Sequence, residues 1–377
     1  MRVMHLVTGL QSHGAERMMA RLITATAPAD ARFRVLCLTG EGPVGDELRA
    51  AGVEVAALDL DKVLGVVRGP VRVVSELRRW RPDVLQTWLY DADLVGAVSS
   101  RIAKVPVVWN LRQTVPDLEH SKPRTKWVVR AGARLSSKLP ARIVCCAPEV
   151  RASHADFGYD NSRMVVIPNG TDTDRFRPDP ARRATRSTLG LTDDTILVGH
   201  VARFAPQKDH ASFVGAAAKV AEQHPEVRFA LVGTGAEPSN AQLVGMLVSA
   251  GISDQTLLLG PRDDIASLTA AFDVAVSSSA FGEGYPNAVA EALSSGVPCV
   301  ATDVGHSAAL VGDAGRIVAP RDPAALAAAL LELIELPEVS RHALGAKGRH
   351  RIEREDSLRA VADRYLRLWR EVAPCAD

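Results

Sequence analysis

Short apolar runs rich in Val, Ile and Leu alternate with stretches whose apolar residues recur every three or four positions, and the alternation continues along almost the whole chain. In the first half the runs predict strands at Val3–Val7, Arg34–Leu38, Val53–Ala57, Val84–Gln86, Val107–Asn110, Ile143–Cys146 and Val165–Ile167. Helices are predicted between them, notably over Ala15–Thr26, Pro70–Arg79, Asp91–Ile102 and Lys122–Lys138. The second half repeats the rhythm, with strands predicted at Ile196–Val201, Phe229–Val232, Leu257–Leu259, Val274–Ser277, Cys299–Ala301 and Gly315–Val318. Apolar strands separated by amphipathic helices define an α/β protein built on parallel sheets covered on both faces. The turn-rich stretch from Pro168-Asn169-Gly170 to Pro180 interrupts the periodicity and marks a domain boundary. At the far end, Leu358, Val361, Tyr365, Leu368, Trp369 and Val372 share one face of a helix over Ser357–Val372, a stripe that needs a groove. Doubly wound sheets bind ligands at the carboxyl ends of their strands, so the strand-to-helix turns are where chemistry is expected.

Length and composition change this picture little. At 377 residues the chain is too long for one ordinary core and suggests two domains. Hydrophobic residues make up 47% and charged residues 24%, the balance of a water-soluble globular protein. The formal charge is +1, from 45 basic and 44 acidic residues, but residues 1–180 hold 26 of the first and 20 of the second. The basic half is the expected docking half for an anionic acceptor or surface; no nucleic-acid partner is expected. Cys37, Cys145, Cys146, Cys299 and Cys375 show no metal-binding spacing, which predicts buried thiols in a reducing compartment. No 18-residue apolar stretch exists, and Val3–Leu10 gives way to Gln-Ser-His-Gly-Ala-Glu without a signal-peptide cleavage pattern. The expectation is a cytoplasmic protein, or one resting on the inner face of a membrane.

The chemistry concentrates in residues 281–300. Gly282, Gly284 and Pro286 form a turn ahead of an apolar-periodic helix that carries Glu291 and is stopped by Gly296 and Pro298. Glu283 stands just before this helix and Glu291 about a turn and a half inside it, with Gly284, Tyr285, Pro286 and Asn287 between them. Free amides at a helix N-terminus form an anion site, and flanking carboxylates can accept hydrogen bonds from sugar hydroxyls. A phosphate cradle with two hydroxyl acceptors suits a nucleotide-sugar. Upstream, Arg203 and Lys208 share the loop that follows the strand ending at Val201. Arginine can grip a diphosphate bidentately and lysine serves as a point charge, so the two can neutralise such a leaving group without a metal. Three Asp-x-Asp triplets (Asp59/Asp61, Asp91/Asp93, Asp172/Asp174) occur, but chance accounts for them at this composition, and no metal or cofactor is expected.

The stretch from Phe281 to Val300 resembles the E-x7-E signature of the retaining family-4 glycosyltransferases of the GT-B fold. Other segments follow in that family's order. Gly14-Ala15-Glu16 is similar to the end of its G-G-A-E loop, with His13 in place of the first glycine. Pro168-Asn169-Gly170-Thr171-Asp172 is similar to its P-N-G-x-D hinge. Gly199 to Asp209, with Arg203 and Lys208, is similar to its diphosphate-binding segment. Phe229 to Gly235 and Gly260 to Asp264 extend the match, the latter where the family's base-contacting loop lies, which brings in Arg262. The main departure follows Val105-Pro-Val-Val-Trp-Asn-Leu: many members have a histidine there, and this chain has Arg112. Arginine cannot act as a base, but it can hold a donor phosphate or an acidic acceptor. Tyr90 and Asp91 are secondary candidates.

The resemblance implies two doubly wound, Rossmann-like domains facing across a cleft. Residues 1–170 would form the acceptor side, joined by the returning helix at 357–377, and 171–356 the donor domain. It implies transfer of a sugar from a nucleotide-sugar, UDP-linked rather than GDP-linked, to a hydroxyl with retention of configuration. Arg203, Lys208 and the amides of 284–287 would stabilise the departing diphosphate, Glu283 would meet donor-sugar hydroxyls, and Glu291 the ribose. Gly14 would let the donor approach the backbone. A GT-B sugar-nucleotide epimerase and a non-catalytic nucleotide-sugar-binding protein are the alternatives.

One segment points beyond the donor. Lys122, Lys126, Arg130, Arg134 and Lys138 recur every four residues between Ser121 and Pro140, where no acidic residue occurs. Ser121 is the expected cap and Trp127, Ala131, Leu135 and Leu139 the expected apolar stripe. A basic amphipathic helix of this kind fits an anionic membrane surface and an acceptor that is lipid-linked; an ordinary surface helix fits the same pattern.

Overall fold

The computed structural model describes residues 1–11, 14–26, 30–60, 65–116, 118 and 121–374, with residues 65–68 described by their backbone alone. The chain divides into two compact units, Met1–Gly170 with Leu358–Asp377, and Thr171–Ser357.

In the first unit, seven strands run in parallel: β1 (Arg2–Val7), β2 (Arg32–Cys37), β3 (Glu54–Ala57), β4 (Val84–Trp88), β5 (Val107–Leu111), β6 (Arg142–Cys145) and β7 (Met164–Val166). Their order is β3-β2-β1-β4-β5-β6-β7, so the winding reverses between β1 and β4. β4 and β5 are buried along their whole length, and their polar residues Gln86, Thr87 and Asn110 are hydrogen-bonded inside the unit. The terminal helix Leu358–Val372 lies in this unit and buries Val361, Ala362, Tyr365, Leu366, Leu368 and Trp369. Two strand residues and Arg112, just after β5, anchor it. The Trp369 indole donates to Gln86 Oε1 at 2.9 Å, and Asn110 Nδ2 and Arg112 Nη1 donate to the Tyr365 hydroxyl at 2.9 and 3.3 Å. Beside them the Trp88 indole donates to His5 Nδ1 at 3.0 Å, and burial lowers the His5 pKa to about 3, so the ring is a neutral acceptor.

The second unit holds six parallel strands, β8 (Leu197–Val201), β9 (Arg228–Val232), β10 (Thr256–Gly260), β11 (Val274–Ser277), β12 (Cys299–Thr302) and β13 (Gly315–Val318). The order β10-β9-β8-β11-β12-β13 puts the reversal between β8 and β11. All thirteen expected strands are present, most of them a residue or two longer than the apolar runs, because ladder pairing continues past the last apolar side chain.

The basic helix departs from expectation in detail. It spans Pro123–Leu135, its cap position is Lys122 rather than Ser121, and no side chain caps it. Its buried face is Val128, Val129 and Gly132. Gly132 fits closely under Tyr159, whose hydroxyl donates to the Val129 carbonyl at 3.2 Å. Of the expected stripe, Trp127 is 57% exposed on the same surface as Lys122, Arg130, Arg134 and Lys138, while Ala131, Leu135 and Leu139 are half-buried. No helix among the described residues is long and apolar enough to cross a membrane. Cys37, Cys145, Cys146 and Cys299 are buried free thiols, while Cys375, His13 and Asp61 lie outside the described residues.

Candidate functional site

The reversal between β8 and β11 sends two loops outward from neighbouring strand ends, the position at which open α/β sheets bind ligands. The β8 loop carries Arg203, Gln207 and Lys208; the β11 loop carries Ser278 to Pro286. They are stitched together. Ala280 N donates to the Gln207 carbonyl at 2.8 Å, Gln207 Nε2 donates to the Gly282 carbonyl at 3.0 Å, and the Ser278 hydroxyl donates to the Lys208 carbonyl at 2.8 Å. Across this seam Lys208 Nζ donates to Glu283 Oε1, and the Ser279 hydroxyl reaches the same oxygen at 2.7 Å. The Lys208 and Glu283 side chains are 22% and 9% exposed, so the pair is sheltered but open to a ligand. With both donors on Oε1, Oε2 is the oxygen left to accept a hydroxyl. Arg203 is exposed, its Nη2 3.4 Å from Gln207 Oε1, and it makes no ion pair among the described residues.

Two glycines hold these loops in place. Gly233, at the end of β9, has φ +134°, and a Cβ there would lie 2.5 Å from the Ala202 carbonyl oxygen beside Arg203. Gly305 has φ +59°, and a Cβ there would lie 2.4 Å from the Glu283 carbonyl oxygen. Any side chain at either position would displace the backbone that carries the charged groups.

The helix after the second loop is Asn287–Ser294, with Pro286 at its cap. Pro286 has no N–H, so the expected row of amides from 284 to 287 is broken at that residue. Tyr285 belongs to this turn through its backbone rather than its side chain. Its ring is 4% exposed and stacks on His306, and its hydroxyl donates to Asp356 Oδ2 at 3.1 Å, so its side chain serves the interior of the unit. Gly284 and Pro286 are buried beside it; Asn287 and Glu291 are half-buried on the helix, Glu291 four residues beyond Asn287 and hence one turn further on. Arg262, after β10, gives Nε and Nη2 to Asp264 at 2.8 and 2.6 Å on the surface, so its fork is occupied by a carboxylate of its own loop.

The remaining candidates lie in the first unit. Gly14 is exposed and begins the helix Gly14–Ala25 that follows β1. Arg112 follows β5 directly, and its guanidinium lies 5.7 Å from the centre of the Trp88 ring. The Tyr90 hydroxyl pairs with His154 Nε2 at 2.9 Å. The other ring nitrogen, Nδ1, is 2.8 Å from the Val150 carbonyl and must donate to it, so the phenol is the donor to Nε2. Sequence reasoning missed His154, Ser279 and Gln207, none of which carries a local signal, since each matters only through a partner distant in the chain.

Two of the three Asp-x-Asp triplets are engaged elsewhere. Asp91 accepts from Arg124 at 2.9 Å, whereas Asp93 is buried, accepts from Thr87 Oγ1 at 2.5 Å and is pushed well above the ordinary carboxylate pKa by burial. Asp172 Oδ1 caps the turn at Asp174 and Arg175. Among the described residues no three His, Cys, Asp or Glu side chains come together as a metal site requires.

Two all-parallel α/β units, one with Arg203, Lys208 and Glu283 at its switch point, make a two-domain Rossmann-like protein of the GT-B fold. Family comparison narrows this. The model described as Glycosyltransferase Family 4 matches residues 12–175 and that described as Glycosyl transferases group 1 matches residues 195–336. Matched in order over most of the chain, the two models support a family-4-like glycosyltransferase.

Among its relatives, the UDP-Gal:alpha-D-GlcNAc-diphosphoundecaprenol alpha-1,3-galactosyltransferase of Escherichia coli is 28% identical over 62% of this chain and 61% of that enzyme. D-inositol 3-phosphate glycosyltransferase 2 of Catenulispora acidiphila is 33% identical over 52% of this chain and 47% of that enzyme. The chain thus spans between about half and three fifths of these two relatives. The crystal structure of HepE from Anabaena in complex with UDP superimposes with a TM-score of 0.88 at 22% identity, covering 98% of this chain and all of that one, a likeness of fold.

Proposed function

We propose that the protein transfers a sugar from a UDP-linked donor to an acceptor hydroxyl with retention of configuration. The observation that carries this reading is the seam at the β8–β11 switch point, where Lys208, Glu283 and Ser279 meet beside the exposed Arg203. The donor's diphosphate would rest against Arg203, Lys208 and the start of the helix Asn287–Ser294, with Oε2 of Glu283 accepting from the sugar, Glu291 from the ribose, and the loop of Arg262 facing the base. In the reaction the bond from the anomeric carbon to the diphosphate oxygen breaks and a bond to the acceptor oxygen forms on the same face. The acceptor's proton goes to the departing diphosphate. Negative charge grows on that leaving group, and preorganised cations lower the barrier most where charge grows. Because its partners are cations and amides, we expect no metal to be required.

UDP as the nucleotide is supported by the relative that uses UDP-Gal and by the UDP and UDP-glucose complexes of the HepE fold neighbour. The relatives are transferases, which weighs against the epimerase and binding-protein alternatives. Incubation with a panel of UDP-sugars separates the three. A transferase releases UDP in the presence of an acceptor, an epimerase returns an isomerised donor, and a binding protein changes neither. Isomerised donor without free UDP would overturn the proposal.

The acceptor side belongs, in this reading, to the first unit. Its helix Pro123–Leu135, with Trp127 exposed among the cations, fits adsorption to an anionic lipid surface, and the Escherichia coli relative acts on a diphosphoundecaprenol-linked sugar. We therefore extend the proposal to a lipid-linked acceptor met by the protein at the membrane surface.

A further inference from the structure

Arginines that serve architecture in this protein hold a carboxylate or a set of backbone carbonyls, although Arg34 and Arg186 each keep a buried Nε without a hydrogen-bond partner. Arg186, with no exposed surface, binds Asp273 and the carbonyls of Ala271, Thr192 and Thr195; Arg34 pairs with Glu76 at 2.8 Å; Arg341 donates to the carbonyls of Ile334 and Leu336. Arg112 is different. Nη1 donates to Asn110 Oδ1 at 3.1 Å and to the Tyr365 hydroxyl at 3.3 Å, both neutral, and the Trp88 ring face lies alongside. Nη2 is shut off from solvent and has no partner. No carboxylate pairs with this guanidinium among the described residues, and the two thiols whose fields reach it are held neutral, since burial pushes Cys146 up to about 11 and Cys145 to about 12. A partly desolvated cation without a counter-ion, with one N–H group unsatisfied, is costly in a folded protein. It becomes favourable when an anion arrives to complete it.

Position says where that anion comes from. Arg112 follows β5 at the carboxyl edge of the sheet, and its guanidinium leans over Trp88 at the end of β4, one of the two strands that form the switch point of the first unit. The donor's diphosphate already has Arg203 and Lys208 in the second unit. We propose that Arg112 binds an oxyanion, carboxylate or phosphate, carried by the acceptor, so that the acceptor is an acidic molecule rather than a neutral sugar. The planar fork of arginine matches two oxygens of either group, which a lysine at this place would not. This inference rests on the transferase reading above.

Calorimetry on the full-length protein saturated with UDP tests it, with three probes: glucuronate, glucose 1-phosphate and glucose. Saturable binding of glucuronate or glucose 1-phosphate, with none by glucose, is expected, and whichever anion binds tells carboxylate from phosphate. Arg112→Gln should weaken that binding by about tenfold or more, as loss of a bidentate charged contact does, and Arg112→Lys should retain part of it. UDP affinity should be unchanged in both variants, and circular dichroism should show the wild-type fold. Overturning results are no saturable anion binding, equal binding of glucose, an Arg112→Gln variant that binds as wild type, or anion binding seen only without UDP. Failure of the protein to bind UDP at all would instead remove the transferase reading, so the two failures are distinguishable.

Discussion

Lys208 stands between two anions in the proposed reaction, the Glu283 carboxylate it contacts and the diphosphate it would stabilise. Replacing it with Ala should lower turnover by about 10²-fold or more, because the charge it faces grows toward the transition state. Glu291→Ala should act differently, raising KM for the donor more than it lowers kcat, since ribose contacts are alike in ground and transition states. Steady-state kinetics of the two variants check this, and wild-type values in both would remove these residues from the site. The buried histidines make a separate prediction about pH. Burial lowers His5 to about 3 and His154 and His210 to about 4, against an ordinary value of 6.5. The unfolded chain therefore takes up protons below about pH 6.5 while the folded one resists, so stability falls as pH drops from 6.5 toward 4. Neither ring nitrogen of His210 has a partner, and the ring packs 4.8 Å from His200 and 5.0 Å from Phe204. Thermal melts from pH 8 to 5 should show the loss in the wild type and a shallower loss in His210→Phe.

At the scale of elements, the terminal helix Leu358–Val372 and the basic helix Pro123–Leu135 differ in what covers them. The first closes the hydrophobic core of its unit, with Trp369 fully buried and hydrogen-bonded to Gln86. Trp369→Ala should cost about 3–5 kcal/mol of stability, the range for removing a large buried aromatic, and urea denaturation would measure it. The second buries only Val128, Val129 and Gly132 and turns Trp127 and its cations outward. Each cation near an anionic surface contributes about 1 kcal/mol. Co-sedimentation with liposomes should therefore require anionic lipid, fade as salt rises, and fall when Lys126, Arg130 and Arg134 become Ser. Equal sedimentation with neutral vesicles would leave the helix as an ordinary surface element.

For the whole molecule, the test is metal dependence. If cations and amides are the diphosphate's partners, sugar transfer should continue in EDTA at its untreated rate. Loss in EDTA with recovery in Mg²⁺ or Mn²⁺ would return attention to the Asp-x-Asp triplets. Asp91, held by Arg124, would be the place to begin, since Asp93 is buried against Thr87 and burial pushes its carboxyl well above the ordinary carboxylate range.

The thirteen strands and the α/β class could be read from the chain because parallel strands buried on both faces are largely apolar runs, and such runs are visible one residue at a time. The family could be read for a similar reason, since Gly, Pro and charged residues at strand ends fall in short, ordered strings. What could not be read depends on residues far apart in sequence. Lys208 meets Glu283 across 75 positions only because β8 and β11 lie side by side, and Arg112 meets Tyr365 across 253 because the last helix returns to the first sheet. Tyr285 was legible as a member of the motif, yet its hydroxyl turns inward to Asp356, 71 residues on. Nor could the pattern tell that the basic helix buries Val128, Val129 and Gly132 and leaves Trp127 exposed. Periodicity gives the sides of a helix, but which side is covered is set by what packs against it, and that information is held by the tertiary structure alone.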